Sequence, residues 1–259
     1  MLQLTDAEVE LIDLLLPPDP EKPKGGRPRS DRRKAIEGIF WVLDNGAKWK
    51  DLPEEFGTKS SVHRAFQRWV KAGAFEKMLH DMGKLVREEK GFKLFECYID
   101  GTFAKAKGGG DGIGATKAGK GVKIMIMVDA RGLPIAVKTG SASPHESKLV
   151  EPLFEFMASV DLPERLIGDK AYDSDKLDAR LAQRGVELIS PHRSNRKPEN
   201  KTQDGRPLRR YQRRWTVERT IGWLQNYRRL CIRWEKSTAM FQGFVHLTCS
   251  ILLMKEVLG

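Results

Sequence analysis

The order of secondary-structure elements after residue 93 limits the folds that this chain can adopt. Apolar runs predict strands and amphipathic runs predict helices, each by its own periodicity. The strands are expected at about 94–100, 122–129, 133–139, 165–169 and 186–190, and the helices at about 145–158, 174–184, 208–229 and 238–257. Three strands in series, followed by alternating strands and helices, indicate an α/β fold with a mixed sheet flanked by helices.

The chain is strongly basic. Its 46 lysines and arginines outnumber its 35 acidic residues, which gives a net charge of +11 and a pI near 9.6. Such an excess favours a polyanionic partner, either nucleic acid or an acidic membrane surface. No apolar stretch is expected to span a membrane, so nucleic acid is preferred. Three scattered cysteines without a C-x-x-C pair argue against disulfides and fit a reducing cytoplasm.

The first 90 residues are predicted to be helical. Thr5 and Glu8 make a capping box, Ser30 can cap a second helix, and two further helices follow. Short helices joined by a turn favour a helix-turn-helix-like DNA-binding module over 1–90, which leaves 91–259 for the sheet domain. A plain helical bundle with a polar outward face is the alternative.

Two basic features of this module are candidates for DNA contact. One is the run from Lys22 to Lys34, for which a solvated linker and an arm along the DNA backbone are equally open interpretations. The other is the exposed face of the third predicted helix. The residues expected to bind DNA here are Arg27, Arg29, Arg32, Arg33, His63, Arg64, Gln67 and Arg68.

Three acidic residues of the second domain suggest a metal site. Asp100 and Asp169 each end an apolar run that predicts a strand, and Glu218 lies in a predicted helix. Two strand-end aspartates and a helical glutamate can converge on two divalent cations, which clamp the attacking and leaving oxygens of a phosphodiester. A surface salt-bridge network is the alternative for the same residues.

The predicted helix that carries Glu218 has a polar face with mixed charge. At about 100° per residue, the side chains that fall within about 60° of one another are those of Tyr211, Arg214, Glu218, Gln225 and Arg229. Val217, Ile221 and Leu224 indicate that another face of the helix packs. A helix that buried the polar face in a core would not carry that set, so this face is expected to belong to the site.

Other motifs give weaker signals. The stretch from Gly114 to Gly121 approaches a phosphate-binding loop, but Gly121 stands where Ser or Thr should hold Mg²⁺, and a strand rather than a helix follows. His145 and Glu146 stand at a predicted helix start, where capping is the preferred role. The basic span 193–214 predicts a mobile loop beside the site.

Several motifs together match those of one known family. Asp100-Gly101-Thr102, the run from Gly168 to Asp173, and the run from Val217 to Thr220 are similar to its three acidic motifs. Its Y-x2-R-x3-E-x6-K signature matches at Tyr211, Arg214 and Glu218, with Gln225 at the lysine position, where Arg228 or Arg229 is expected to supply the DNA contact. On these motifs the chain resembles the DDE transposases of bacterial insertion sequences, in the group built around insertion sequence five.

The resemblance implies a fold, a reaction and partners. The fold would be an RNase H-like catalytic domain in which Asp100, Asp169 and Glu218 are the catalytic residues and bind Mg²⁺, with Mn²⁺ able to substitute. The substrates would be double-stranded DNA at the terminal inverted repeats and at a target, bound in part by Tyr211 and Arg214. The active complex would be a homodimer in the bacterial cytoplasm, associated with the nucleoid.

Two other classes of function stay open at this point. A metal-dependent nuclease would use the same acidic residues without strand transfer, and formation of a joined product with target DNA would exclude it. A non-catalytic DNA-binding repressor derived from a transposase would not cut DNA, and Mg²⁺-dependent nicking would exclude it.

Overall fold

The N-terminal part of the chain is helical in a computed structural model, which describes residues 4–20, 31–155, 157, 161–201 and 205–259. Its helices are α1 (Asp6–Leu15), α2 (Arg32–Asn45), α3 (Lys59–Lys71) and α4 (Ala74–Glu89). The capping box is confirmed, since Thr5 N donates to Glu8 Oε2 at 2.7 Å and Glu8 N donates to Thr5 Oγ1 at 3.2 Å. Asp31 caps α2, whereas the predicted cap, Ser30, lies outside the described residues.

Among the described residues, seven strands form one mixed sheet, as predicted. They are β1 (Cys97–Ala106), β2 (Gly114–Thr116), β3 (Gly119–Val128), β4 (Pro134–Ser141), β5 (Arg165–Ile167), β6 (Glu187–Ile189) and β7 (Ile232–Arg233). The order is β2–β3–β1–β5–β6, with β4 also paired to β3 and β7 to β1. Strand β3 runs antiparallel to its neighbours, whereas β5 runs parallel to β1 and to β6. The predictions missed β2 and β7, which are too short to show periodicity.

The remaining helices cover the sheet and follow its strands. They are α5 (Val150–Phe154), α6 (Asp175–Ala182), α7 (Gly205–Leu208), α8 (Trp215–Asn226), α9 (Arg228–Cys231) and α10 (Thr238–Leu258). The prediction of one helix over 208–229 is wrong. Arg209–Arg214 forms a 3-10 turn before α8, and the backbone at Tyr227 is extended (φ −81°, ψ 97°), which ends α8. The polar face was calculated for a single helix, so that calculation does not apply to residues that lie outside α8.

The core is shared between the N-terminal helices and the sheet. Helix α10 contacts both α4 and β4, and the Phe244 ring of α10 stacks on Phe66 of α3 at a centroid distance of 4.2 Å. Buried side chains of α1 to α4, α10 and the sheet form one hydrophobic cluster. The predicted boundary near residue 90 falls between α4 and β1, and the division into two modules stays a prediction.

Helix α10 is more apolar than the sequence reasoning allowed. By length and composition it could cross a membrane, with a mean hydropathy of 1.2 in its most apolar window. However, 67% of that window is buried in the fold, as in the core helix of a globular domain. Burial lowers the pKa of His246 to about 4, so this side chain brings no charge into the core at neutral pH.

We expect Phe244→Ala to lower the free energy of unfolding by about 3–5 kcal/mol, the usual cost of truncating a buried phenylalanine. Phe244 is fully buried, whereas Leu258 on the same helix is 48% exposed. Leu258→Ala is therefore the control and should cost under about 0.5 kcal/mol. Urea unfolding measures both changes, and similar losses for the two variants would contradict the central role of α10.

Candidate active site

Asp100 lies on β1, and Asp169 lies two residues after the neighbouring parallel strand β5. Strands β1 and β5 pair with Tyr98 opposite Ile167, and each aspartate lies two residues farther along its chain. Because paired strands lie about 4.8 Å apart, both aspartates lie near the C-terminal end of β5. The prediction that Asp100 ends its strand is wrong, since pairing with β3 continues to Lys105, and pairing with β7 extends β1 to Ala106, after β5 has stopped.

The guanidinium of Arg214 joins Asp100 to Glu218. Its Nη1 donates to Asp100 Oδ2 at 2.6 Å, and its Nη2 donates to Glu218 Oε1. Arg214 ends the turn that precedes α8, so it lies one helical turn before Glu218. The charge of Asp169 also acts on Asp100. The structure thus joins Asp100 to Glu218 through Arg214 and places Asp169 after the neighbouring strand, and the catalytic role of the three residues stays a prediction.

The environment of Asp100 disfavours its negative charge. Burial raises the pKa of Asp100, and the charge of Asp169 adds to the rise. The Gly101 N–H, which donates to Asp100 Oδ1 at 2.8 Å, and the Arg214 guanidinium oppose it. Because the folded-state pKa exceeds the unfolded one, this group favours folding at acidic pH and loses that contribution as pH rises through its folded pKa. A bound cation would relieve the same cost.

The chemistry of the three residues fits a divalent metal ion. Carboxylate oxygens are the ligands that Mg²⁺ and Mn²⁺ prefer in proteins. Within the described ranges, no three acidic, histidine or cysteine side chains are already arranged around a common metal position. The Arg214 guanidinium binds one oxygen of Asp100 and one oxygen of Glu218. A metal ion bound by these two carboxylates would share them or compete for them with Arg214.

Glu96 was missed by the sequence reasoning and anchors the turn before α8. Its side chain is 1% exposed and accepts hydrogen bonds from Arg210 and Arg213, the latter at 3.0 Å. The Tyr98 hydroxyl donates to the second oxygen at 3.2 Å. The sequence signal for Glu96 was an acidic residue within the apolar run predicted to be a strand. It stands four residues before Asp100, and residues an even number apart in a strand share a face.

The basic span 193–214 is attached to the domain at several points. Asp173 accepts from Arg193 N at 2.8 Å and from Arg196 Nη1 at 2.5 Å, and lies 3.0 Å from His192 Nδ1. Burial raises the pKa of Asp173, but these partners outweigh it and hold that pKa below its usual value. At its other end, the arginines of the turn bind Glu96. These described parts are therefore attached to the domain, and the mobility of the span stays a prediction.

The arginines predicted to form a DNA-binding arm have different environments. Arg32 Nε donates to Asp13 Oδ1 at 2.6 Å, and Arg33 Nε donates to a glutamate of α2 at 3.0 Å. Arg27 and Arg29 lie outside the described residues. Because Arg32 and Arg33 already pair with acidic residues of the protein, they are less available for the predicted contact between the arm and DNA.

Helix α3 presents part of its predicted DNA-binding face. Arg64 is exposed and Gln67 is partly buried. His63 stacks on Trp49 at a centroid distance of 4.5 Å, and burial lowers the pKa of His63. Arg68 Nη2 donates to an aspartate of the α1–α2 connection at 2.6 Å. Arg64 is therefore the best-placed member of this set for contact with a partner.

Arg229 does not fit the predicted DNA-binding set, because its side chain is buried. It is 2% exposed, its Nε donates to Glu235 Oε1 at 2.8 Å, and its Nη1 donates to the carbonyl oxygen of Ala47. The break at Tyr227 turns this residue into the core, where it links α9 to the loop after α2. Its neighbour Arg228 is exposed.

The other predicted members of the set lie near Glu218. Gln225 is exposed, and its Nε2 donates to Thr102 Oγ1 on β1 at 3.0 Å. Tyr211 is partly buried, with the Arg214 guanidinium 5.6 Å from its ring centroid. These contacts place both residues beside the acidic group.

Two family models match the chain. One, described as a transposase DDE domain, matches residues 97–253, and this segment contains all three acidic residues. The other, described as "Putative transposase of IS4/5 family", matches residues 4–79, which hold α1 to α3 and the start of α4.

Individual proteins are also similar to this chain. The "Putative transposase for insertion sequence element IS402" of Burkholderia cepacia is 30% identical over 144 residues, covering 52% of this chain and 64% of that protein. The "Putative transposase for insertion sequence element IS6501" of Brucella ovis is 29% identical over 133 residues, covering 51% of this chain and 98% of that protein. The piggyBac transposase in a synaptic complex with hairpin DNA shares the fold, with a TM-score of 0.58 at 11% identity. That match covers 98% of this chain and 72% of the piggyBac chain.

We expect the pKa of Asp100 to respond in opposite directions to its two neighbours. In the metal-free protein, Asp169→Asn should lower this pKa because a like charge is removed, and Arg214→Gln should raise it because an opposite charge is removed. NMR titration of ¹³C-labelled aspartate carboxyls measures both shifts. Asp175→Asn, which changes an exposed side chain, is the control and should leave Asp100 unchanged. Shifts of the same sign in both variants would contradict this arrangement.

Proposed function

The chain belongs to the transposase DDE domain family, and we propose that it is a DNA transposase that binds terminal inverted repeats, cleaves the ends of an insertion sequence and joins them to a target. The observation that carries this proposal is the meeting of Asp100 and Glu218 at Arg214, with Asp169 two residues after the neighbouring strand β5. The proposal includes a homodimer as the active complex and action on DNA in the bacterial cytoplasm.

In this proposal Asp100, Asp169 and Glu218 hold Mg²⁺, and Mn²⁺ can replace it. The bound metal would supply a lowered pKa for an attacking water and charge stabilisation for the oxygen that leaves. The protein's part is to hold the three carboxylates on β1, after β5 and on α8. Buried contacts of α8, such as those of Val217 and Leu224, fix the position of the helix on the sheet.

The proposed reaction exchanges one phosphodiester bond for another. A water oxygen first bonds to phosphorus at the element end, the bond to the 3′ oxygen breaks, and the water proton is released as a 3′-hydroxyl forms. That 3′-hydroxyl then loses its proton, bonds to a target phosphorus and displaces the target's own 3′ oxygen. Because one bond forms for each bond broken, the joining step needs no nucleotide cofactor. The stretch from Gly114 to Gly121, which builds the β2–β3 hairpin, is not required to bind one.

Arg214 is suited to hold a DNA phosphate once its acidic partners bind metal. Its side chain is 18% exposed and Glu218 is 53% exposed, so both are open to a substrate from one side. Gln225 lies on that side as well, tied to Thr102 of β1. When a cation compensates the carboxylates, the guanidinium can turn to the phosphate.

A joining assay tests the function directly. The substrate is a duplex that carries the inverted repeat, with a supercoiled target plasmid and Mg²⁺. Joined product supports the transposase. Cleavage without joining would support the nuclease, and end binding without nicking would support the repressor.

We expect Asp100→Asn to abolish Mg²⁺-dependent cleavage and to leave binding of the inverted repeat nearly intact. The change removes a metal-binding charge but no cation that contacts phosphate. Cleavage and gel-shift assays on the same preparation measure the two properties. Substantial residual cleavage, or an equal loss of binding, would count against the assignment.

We expect Arg214→Ala to slow cleavage by about a hundredfold or more, the usual effect of removing a donor to a reacting oxyanion. In the presence of Mg²⁺ the melting temperature should fall by only a few degrees, because a partly exposed ion pair contributes about 1 kcal/mol. Arg165→Ala, which breaks a surface pair with Glu187, is the control and should cleave normally. Normal cleavage by Arg214→Ala would remove this residue from the site.

We expect Arg64→Ala to reduce the slope of log binding constant against log salt concentration by about 0.9, the value for one lost phosphate contact. The measurement uses the full chain in an Asp100→Asn background, so that the DNA stays intact. Arg180→Ala, on α6 and paired with Glu151, should leave the slope unchanged. An unchanged slope for Arg64→Ala would show that α3 does not contact the DNA backbone through this residue.

A further inference from the structure

Arg193, in the loop after β6, binds the turn that follows Asp169. Its Nε donates to the carbonyl oxygen of Lys170 at 3.0 Å, and its Nη2 donates to that of Ala171 at 3.0 Å. Both carbonyl groups belong to the 3-10 turn Lys170–Tyr172, which begins directly after Asp169. A single guanidinium therefore holds two consecutive residues of this turn.

The same turn orients the carboxylate of Asp169. The Ala171 N–H donates to Asp169 Oδ1 at 2.8 Å, so Ala171 binds the carboxylate through its nitrogen and Arg193 through its oxygen. The turn has little space to adjust, since a β-carbon on Gly168 would lie 2.5 Å from the Tyr172 ring. A displacement of Ala171 would therefore move the carboxylate with it.

The main chain of Arg193 is itself held in place. Its N–H donates to Asp173 Oδ2 at 2.8 Å, and Arg196 Nη1 donates to Asp173 Oδ1 at 2.5 Å. The Asp173 side chain is only 5% exposed, so water competes little for these bonds. The guanidinium of Arg193 thus reaches the turn from a fixed point on the neighbouring loop.

Arg193 also reaches the loop after β4. Its Nη2 lies 3.0 Å from His145 Nε2. His145 caps the turn Glu146–Lys148, as predicted, with its Nδ1 3.4 Å from Ser147 N. Strands β4, β5 and β6 all run in the direction of β1, and open α/β sheets bind their ligands outside the carboxyl ends of their strands. Arg193 thus links the loops after three such strands, beside Asp169.

We propose that Arg193 is a positioning residue for Asp169, because it holds the turn whose Ala171 N–H orients the Asp169 carboxylate. The guanidinium can hold both carbonyl groups since its donors form a planar fork, whereas a lysine ammonium is a compact point charge. The side chain is then used within the protein and not for contact with a DNA phosphate. This inference rests on the proposed function, because it assumes that Asp169 binds metal.

Mn²⁺ binding by the full chain, followed by the EPR signal of the free ion, tests this role without DNA. Arg193→Lys keeps the charge but loses the fork. It should weaken Mn²⁺ binding by about tenfold or more, the lower end of what is lost when a group that supports a metal ligand is removed. Affinity for the inverted-repeat duplex, measured in EDTA, should stay within about twofold, because the positive charge is retained. Arg180→Lys, at an exposed pair with Glu151, is the matched control and should change neither quantity.

Unchanged Mn²⁺ affinity in Arg193→Lys would overturn the role of Arg193. A lowered melting temperature in that case would make the residue structural, and weakened DNA binding would make it a DNA contact. Loss of both Mn²⁺ and DNA binding would show general disruption and would also overturn the role. If Arg193→Lys does not fold, Arg193→Gln, which keeps one amide donor, is measured in its place. Failure of both variants to fold would make the residue structural.

Asp169→Asn separates this inference from the proposed function. If Asp169→Asn weakens Mn²⁺ binding and Arg193→Lys does not, the metal site stands and only the role of Arg193 fails. If the wild type binds Mn²⁺ no better than Asp169→Asn, the proposed metal site and the role of Arg193 both fail.

Discussion

Glu96, one residue before β1, and Asp100 on β1 hold the turn of arginines that precedes α8, and the rest of the site depends on this contact. Both side chains accept hydrogen bonds from arginines of this turn. Glu96 binds Arg210 and Arg213, and Asp100 binds Arg214. These pairs hold the segment directly before α8 against the start of β1, with Arg214 four residues before Glu218. Apolar contacts alone would hold the helix on the sheet but would specify its axial position less sharply.

The net charge of the chain overstates the positive charge available near the acidic group. Five arginines of the span 193–214 already bind carboxylates or backbone carbonyls, namely Arg193, Arg196, Arg210, Arg213 and Arg214. Part of their positive charge is therefore neutralised within the protein, which weakens their attraction for a polyanion. Binding of a metal or a phosphate near Asp100 is therefore an exchange of partners rather than a simple addition of charges.

Much of the fold and the acidic residues could be predicted because they follow local rules. The central strands have apolar runs long enough to show their period, and Asp169 and Glu218 lie where the sequence placed them, after β5 and on a helix. The failures depend on distant contacts. Asp100 lies within its strand because β3 extends the pairing, and Arg229 is buried because a backbone break at Tyr227 turns it toward Glu235. Neither partner can be identified from the local sequence.

The place of α10 in the core has a consequence for synthesis of the chain. The N-terminal helices leave the ribosome first, but the side chains of Phe241 and Phe244 that complete their core are translated after every acidic residue of the site. Domains ordinarily fold in the order in which they emerge. Here the helical part cannot finish folding until the sheet and α10 are made, so a prematurely terminated chain lacks a complete core. Nonsense fragments of this protein should therefore be cleared by proteolysis.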